Sequence, residues 1–353
     1  YSSFNFILGL GDWKIQDKEA RLNFVSFAYE ALLNKKDATL AQIENFLDSF
    51  DIEAKDQNKL NEEINFSRNL LMSGLDISKA KDLLLFSKKA KVETLAILNR
   101  SLPEISQFGF DEKTLCGTLE ELLSCDDQDV LKEKIAFVSN FASKCNQDPD
   151  NMFPFQLPSI LYDGRIVNKN SQLLKAQLSN SMLNKGVDSF DIDRIFDKIH
   201  WFNDDDLDSL QCLILNSALE ENQKPDDIIK LVKVISKRSN EMNASQMEFA
   251  YDLLKRKFST YDIVDVLSNT YSKDDDINQN QIAFVKEMLD LGVDIDDVIS
   301  ISAQTKFGSK ESNVKKIELT RELLKEKVDF EAIYKIFNAM RSFDNDTHLE
   351  NIS

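Results

Sequence analysis

The chain has 353 residues, of which 42% are hydrophobic and 29% are charged. That composition is ordinary for a folded protein and argues against a globally disordered chain. The 43 basic and 61 acidic side chains give a formal net charge of −18, which works against binding to a phosphate backbone, because such binding depends on clustered Lys and Arg.

The first 19 residues precede the periodic part of the chain, and we interpret them as a lead-in or N-terminal cap. They begin at Tyr1, without an initiator Met and without the basic stretch that opens a signal peptide. We therefore expect a processed chain or a fragment of a longer protein, whose missing part could carry a targeting signal.

From there on, one helical phrase recurs about every 35 residues. Its anchor is usually apolar, and the nine equivalent positions are Leu33, Leu71, Ser106, Ala142, Leu183, Leu219, Leu254, Leu289 and Leu324. The tetrapeptide Ile-Ala-Phe-Val begins seven residues before two of these anchors, at 135–138 and 282–285. A spacing of seven puts two residues on the same face of a helix. The period predicts a chain of helical hairpins.

Each anchor is followed by the signature of a tight turn between two helices. Four of the nine glycines stand three residues after an anchor, where a left-handed residue can end a helix: Gly74, Gly109, Gly186 and Gly292. Five residues after an anchor comes a short polar residue that can cap the next helix: Asp76, Asp111, Asp188, Ser259, Asp294 or Asp329. The pattern predicts an all-α fold, a right-handed α-solenoid of about nine two-helix repeats that forms a single domain over residues 1–353.

The period is interrupted once, and we interpret residues 146–171 as an irregular insert between repeats. This segment holds three of the five prolines of the chain, which prevents a continuous helix. An Asp-Gly pair stands there between two short apolar runs, a pattern that predicts a short β-hairpin at 160–167. Its tip, Tyr162, Asp163, Gly164 and Arg165, is the candidate site for a binding partner. The simpler alternative is a loop that only packs against the repeats.

Two runs of acidic residues, 204–206 and 274–276, raise the question of a calcium site. Neither run has the Gly at position six or the Glu at position twelve of an EF-hand loop. Both begin fifteen residues before an anchor, where a carboxylate can cap the free amides of a helix start. Capping is the favoured interpretation. No metal site is predicted, since His200 and His348 are also too far apart in the chain to complete one.

Catalytic and membrane motifs are absent from the sequence. It contains no nucleophile-elbow, phosphate-loop, dinucleotide-binding or zinc-protease motif, so we expect a protein that is not an enzyme and has no cofactor. No apolar run of about 18 residues predicts a membrane span. The four cysteines, which are expected to be buried reduced thiols, are Cys116, Cys125, Cys145 and Cys212. These expectations fit a soluble protein of a reducing compartment, the cytoplasm of its own cell or of a host.

The repeat from Met288 to Ile301, which reads MLDLGVDIDDVISI, resembles the helical hairpins of α-solenoid proteins. Its length is similar to that of pentatricopeptide, TAL-effector-like and mitochondrial transcription-termination-factor repeats, which would imply nucleic-acid binding with one contact per repeat. The sequence departs from these families, because the prolines of the termination-factor repeat and a Gly-containing base-reading loop at a fixed position are missing. The resemblance therefore implies the architecture and carries over no functional residue.

Three hypotheses for function follow from these patterns. The first is a non-enzymatic scaffold that binds a protein or peptide, preferably a basic one, along an extended acidic surface. The second is a nucleic-acid-binding repeat protein, which requires that the 43 basic residues gather on one face. The third is the interaction part of a secreted effector whose active domain lies outside this chain.

Overall fold

The computed structural model describes residues 15, 17–33, 38–50, 56–147, 152–164, 166–221, 223–235, 240–272, 274–306 and 309–340. Over these residues the chain forms 18 α-helices and no strand. The prediction of an all-α fold is therefore confirmed. Most of the predicted lead-in, 1–19, lies outside the described residues.

Long and short helices alternate along the chain. The long helices are α1 (Lys18–Leu33), α3 (Gln57–Met72), α5 (Val92–Ile105), α7 (Gln128–Gln147), α9 (Lys169–Asn184), α11 (Asp205–Glu220), α13 (Asn240–Lys255), α15 (Asp275–Asp290) and α17 (Lys310–Lys325). The short helices are α2 (Leu40–Leu47), α4 (Ile77–Ser87), α6 (Glu112–Leu123), α8 (Leu157–Leu161), α10 (Ser189–Lys198), α12 (Pro225–Ile235), α14 (Thr260–Thr270), α16 (Ile295–Thr305) and α18 (Phe330–Met340). Eight of the nine predicted anchors lie in a long helix, and Ser106 directly follows α5.

The predicted capping residues accept hydrogen bonds from backbone N–H groups at the starts of the short helices. The N···O distances range from 2.7 to 3.2 Å for Asp76, Asp111, Asp188, Ser259, Asp294 and Asp329. The hydrogen bond from the Thr114 N–H also lowers the pKa of Asp111. The capping prediction is therefore confirmed at all six positions. It could be made from the sequence because an N-cap acts on amides only two or three residues away.

The two acidic runs stand at the starts of α11 and α15. Asp204 Oδ1 accepts hydrogen bonds from the N–H groups two and three residues further on, both at 3.1 Å. Asp274 Oδ1 accepts the equivalent pair at 2.9 and 3.2 Å. The first carboxylate of each run is therefore a helix cap, as predicted. Within the ranges described above, no group of three His, Cys, Asp or Glu residues is placed to hold a metal ion.

The described turns after six of the long helices use a left-handed residue. Four predicted glycines have positive φ angles, 86° at Gly74, 72° at Gly109, 80° at Gly186 and 80° at Gly292. Two lysines occupy the same slot in other hairpins, with φ angles of 67° at Lys257 and 56° at Lys327. A left-handed conformation strains an L-residue because its Cβ approaches the following carbonyl oxygen.

Exchanging the residues in this slot should move stability in opposite directions. Lys327→Gly should raise the free energy of unfolding by about 1 kcal/mol, because it removes the left-handed strain of an exposed side chain. Gly292→Lys should lower it by about as much, and only for backbone reasons, since nothing lies within 4 Å of a Cβ built at this glycine. Urea denaturation of the two variants measures both changes. If both substitutions raised the free energy of unfolding, or both lowered it, left-handed strain would not explain the residues found at this position of the turn.

The chain divides into two compact units, 1–193 and 194–353, with the border inside α10. In the first unit the long helices α1 to α9 pack in sequence, each on the next long helix, and the short helices α2, α4, α6 and α8 do the same. The second unit has the same arrangement, with α11, α13, α15 and α17 in one row and α12, α14, α16 and α18 in the other. The single domain over 1–353 stays a prediction.

The same side-chain contact joins two consecutive long helices in each unit. Its residues stand at the same positions when each helix is counted from its first residue. An arginine at the twelfth position of one helix approaches the phenylalanine at the tenth and the glutamate at the thirteenth position of the preceding long helix. The residues are Arg68, Phe27 and Glu30 in the first unit, and Arg321, Phe284 and Glu287 in the second. The guanidinium carbon lies 5.9 or 5.8 Å from the ring centroid, and the arginine Nε lies 2.7 or 2.8 Å from the carboxylate. The helices therefore stack in the same register in each unit.

Candidate functional site

The predicted β-hairpin at 160–167 is wrong. Ile160 and Leu161 belong to the helix α8, and the chain turns at Gly164, where φ is 56°. The helix packs against α6, where Gly117 permits a close approach, since a Cβ at this position would lie 2.9 Å from Pro158 Cγ. Burial of Leu157, Ile160 and Leu161 against the neighbouring helices thus outweighs the local hairpin signal. The predicted insert thus contains a helix of about one turn, α8, which packs in the row of short helices.

Two hydrogen bonds fasten this segment to the first half of α10. The Phe153 N–H donates to Ser189 Oγ at 2.8 Å, and the Ser159 hydroxyl donates to Asp193 Oδ1 at 2.7 Å. α8 is therefore held on one side by α6 and on the other by α10. The loop that follows, residues 162–168, therefore begins at the end of a helix that its neighbours hold in place.

A cluster of three residues, the lysine clamp, holds this loop against α7 and α9. It consists of Asp163 in the loop, Lys134 in α7 and Lys175 in α9. Lys134 Nζ donates to Asp163 Oδ2 at 2.7 Å and to the Leu161 carbonyl oxygen at 2.8 Å. Lys175 Nζ donates to the Tyr162 carbonyl oxygen and lies 3.9 Å from Asp163 Oδ1. Two buried ammonium groups thus bind the last residue of α8 and the first two residues of the loop.

Burial changes the proton affinities of groups in and beside the clamp. It lowers the pKa of Lys175 to about 8, because desolvation penalises the charged amine more than the nearby carboxylates favour it. Asp163 is the largest of these favourable influences, and Lys134 lowers the pKa further. Burial also raises the pKa of Glu121 on α6, and this effect is larger than the lowering of that pKa by either Lys134 or Lys175. Burying these charges costs desolvation free energy, which is offset only while each lysine and Asp163 keep one another as partners.

The cavity beside the clamp is very small. Its empty space is about 190 Å³ up to its open side, and only about 10 Å³ can hold the centre of a water molecule. Besides the clamp it is lined by Phe137, Ile160, Leu161, Ala176 and Ser179. A pocket for an organic substrate is typically several hundred Å³. The clamp therefore faces its own loop rather than a substrate-sized space.

The pH dependence of stability should show the cost of burying Lys175. Between pH 8 and about 10.5 the unfolded chain binds a proton that the folded protein does not, so this lysine makes stability rise with pH, by about 1.4 kcal/mol per unit. Below pH 8 its contribution is flat. We expect the difference in the free energy of unfolding between the wild type and Lys175→Met to shift toward the wild type over this window. A difference that stays constant from pH 7 to 10.5 would contradict burial of the amine.

The clamp leaves Tyr162 pointing outward. Its side chain is 61% exposed, while its N–H donates to the Pro158 carbonyl oxygen at 3.0 Å and its own carbonyl oxygen is held by Lys175. A Cβ added at Gly164 would lie 3.2 Å from Tyr162 Cε1, so the ring lies against this glycine. The structure thus brings three of the four predicted site residues together. Arg165 lies outside the described residues.

Further exposed aromatic side chains flank the same segment. Phe155 is 68% exposed and its ring centroid lies 5.9 Å from that of Phe153, which is bonded to Ser189. Phe190, the next residue in α10, is 52% exposed. Exposed apolar residues are normal when they are scattered singly, but several within one small region point to a contact surface.

Sequence reasoning missed the two lysines of the clamp. Lys134 precedes the buried residues Phe137, Val138 and Phe141 by three, four and seven positions, which places it on the apolar stripe of α7. Lys175 has the same relation to Leu178, Ser179 and Met182 in α9. A lysine on the buried face of an amphipathic helix is the signal that could have identified both.

The cysteines lie away from any reactive setting. All four are free, and burial raises the pKa of Cys125 and Cys145 to about 11 and that of Cys212 to about 12. Burial also raises the pKa of Cys116. A thiol that keeps its proton at neutral pH is a poor nucleophile. Separately, no helix within the described ranges is both long and apolar enough to cross a membrane.

Comparisons with protein-family models, with curated proteins and with solved structures found no match to the chain. No similarity therefore assigns a role to Tyr162 or to the lysine clamp. Their role is inferred from their own geometry.

Proposed function

We propose that this chain is a non-enzymatic scaffold of the α-solenoid type that binds a protein or peptide partner through the loop carrying Tyr162. The observation that supports this most directly is an exposed aromatic side chain on a loop whose backbone is fixed by two buried lysines. Tyrosine is among the residues that contribute most to binding at protein interfaces.

The α-solenoid architecture is supported by contacts that repeat between neighbouring hairpins. Within each unit the long helices pack one on the next, as do the short helices α2 to α8 and α12 to α18, and the Arg–Phe–Glu contact recurs in equivalent positions of both units. In the second unit an ion pair also joins Arg256 to Asp290, 34 residues further on, at 2.7 Å. Stability that depends on contacts between adjacent repeats is the defining property of a solenoid.

The fixed loop favours binding because less order has to be acquired on association. A mobile loop loses conformational entropy when a partner immobilises it, and this loss weakens the complex. Here the carbonyl groups of Leu161 and Tyr162 and the carboxylate of Asp163 are already bonded to Lys134 and Lys175. The aromatic side chain is presented in a defined position before the partner arrives.

The clamp itself supports a structural rather than a catalytic role. Its lysine amines bond to loop atoms of the protein, and the cavity beside them admits little more than one water molecule. A catalytic lysine needs access to a substrate as well as a lowered pKa. The lowered pKa of Lys175 is therefore attributed to the burial that holds the loop in place.

Replacing Tyr162 should weaken partner binding without affecting the fold. We expect Tyr162→Ala to reduce retention of the partner about tenfold, the loss typical of one central aromatic contact. The measurement is affinity capture from cells of the source organism, with the retained proteins quantified by mass spectrometry.

Tyr261→Ala is the matched control for this experiment. Tyr261 is 62% exposed, lies in the first turn of α14 and precedes an aspartate, but it has no fixed loop around it. This variant should retain the partner like the wild type. Equal retention by both variants would contradict the proposal, and recovery of only nucleic acid would favour the nucleic-acid-binding alternative instead.

A further inference from the structure

We infer that the partner segment that docks beside Tyr162 is basic, an extended stretch in which Lys or Arg side chains stand next to apolar residues. This inference rests on the proposed function and names the chemistry of the partner at the same site. It follows from three features of the first unit: the exposed aromatic rings, the acidic groups around them and the internal use of the nearby cations.

The aromatic rings form the apolar part of the surface. Phe155 and Phe190 are each within two residues of the hydrogen bond between the Phe153 N–H and Ser189 Oγ. Tyr162 lies three residues after Ser159, whose hydroxyl is bonded to Asp193. The three exposed rings are thus anchored on adjoining parts of α8 and α10. They offer faces that bind both apolar side chains and cations.

The charged groups of the two chain segments that carry these rings are acidic. The segments 152–164 and 186–193 contain four carboxylates, those of Asp163, Asp188, Asp191 and Asp193, and no basic residue. Of these, Asp163 is taken up by the clamp, and the other three lie in and before the first turns of α10. A basic segment complements these carboxylates, whereas an acidic segment or a nucleic acid would be repelled by them.

Three lysines of α7 and α9 are already bound within the protein. Lys134 and Lys175 are buried and donate to loop atoms. Lys169, at the start of α9, forms an ion pair with Asp127 at 2.7 Å. These cations therefore offer an acidic partner little attraction. A cation from a basic partner would instead meet aromatic faces and carboxylates together.

A peptide library tests the inference with the intact chain. The labelled protein is applied to an array of 15-residue peptides that vary independently in net charge and in apolar content, at low and at high salt. We expect bound peptides to be enriched in Lys or Arg adjacent to apolar residues, and binding to fall as salt rises, since salt screens exposed charges. Peptides with the same charge but with serine in place of the apolar residues should bind at least several-fold more weakly.

Variants distinguish this site from unspecific binding to an acidic protein. The enrichment should be lost in Phe155→Ser with Tyr162→Ser, and it should persist in Tyr261→Ser, which removes an equally exposed ring beside an aspartate. Circular dichroism confirms that the variants stay helical. Enrichment of acidic or uncharged peptides that still depends on Tyr162 would overturn the basic partner and leave the scaffold function intact. Enrichment independent of Tyr162, or no enrichment, would overturn the inference, and unchanged retention of the captured partner by Tyr162→Ala would separately contradict the proposed function.

Discussion

Asp163→Ala should lower the free energy of unfolding by about 3 kcal/mol or more, one of the two largest effects expected in this protein. The side chain is the carboxylate partner of two buried lysines, with Lys134 Nζ at 2.7 Å and Lys175 Nζ at 3.9 Å. Removing one partner of a buried ion pair leaves an uncompensated charge and typically costs 3–5 kcal/mol. Equilibrium denaturation in urea at neutral pH measures the change.

The expected loss arises from the lysines that remain rather than from the carboxylate that is removed. Lys134 and Lys175 are buried, so neither ammonium group regains full hydration when Asp163 is lost. Combining Asp163→Ala with Lys134→Met should therefore restore part of the stability, because apolar side chains can replace a buried ion pair at little cost. A double variant less stable than Asp163→Ala alone would contradict this explanation.

An exposed ion pair provides the matched control. Asp290 accepts from Arg256 at 2.7 Å, as close as the pair in the clamp, but it is largely exposed at the end of α15. Asp290→Ala should change stability by no more than about 0.5 kcal/mol, since water screens the pair. Equal effects from Asp163→Ala and Asp290→Ala would mean that the clamp is hydrated and does not fix the loop.

The parts of the fold that depend only on residues close together in the chain could be predicted from the sequence. The turn at Gly292 followed by the cap at Asp294 is an example, because a left-handed residue and an N-cap act through their own backbone and a few adjacent amides. The long-helix anchors were predictable for a similar reason, since an apolar stripe at helical spacing is a local pattern. Together they predicted a chain of helical hairpins, whereas the alternation of long and short helices is a finding of the structure.

The conformation of the insert could not be predicted in this way. The Asp-Gly pair at 163–164 does form a turn, but the apolar residues before it are buried in a helix rather than in a strand. The helix is favoured instead by burial of these residues against α6, where Pro158 approaches Gly117, a residue 41 positions earlier in the chain. A packing partner so distant in the chain leaves no signal in the insert itself.

The lysine clamp is an intermediate case. Each lysine violates the apolar pattern of its helix, so its presence on the buried face of α7 or α9 could be read from the sequence. That both meet Asp163 depends on how the two long helices pack around α8 and its loop. Tyr162 was a candidate because of its position in the insert, whereas its exposure and its fixed backbone are properties of the fold.

Removing one complete hairpin should leave a folded protein if the chain is built from repeats. Deletion of residues 275–309 removes α15 and α16 and joins Asp274 directly to Lys310, so one N-cap residue replaces another at the start of α17. It also brings Arg321 opposite Phe249 and Asp252, which hold the positions of Phe284 and Glu287 in α13. The contacts between long helices are thereby restored one repeat earlier.

Deletion of α15 alone, residues 275–290, is the contrasting variant. It removes less than half as many residues, but it places the short helix α16 directly after α14 and breaks the alternation of long and short helices. The buried faces of the remaining helices then lack their partners. In a protein with a single enclosed core the larger deletion would be the more harmful one, whereas in a repeat protein the smaller one is.

Cooperative urea unfolding of these two deletion variants, followed by circular dichroism, is the most direct test of the repeat architecture that underlies the proposed scaffold. We predict that the variant without residues 275–309 stays helical and unfolds in one cooperative transition, at a lower urea concentration than the full chain. The variant without α15 should lose helical signal from the second unit and unfold over a broader range of urea concentration, because the helices next to the deletion lack their partners. Loss of helix and of the cooperative transition in the first variant, or an equal loss of helix in both variants, would contradict the account.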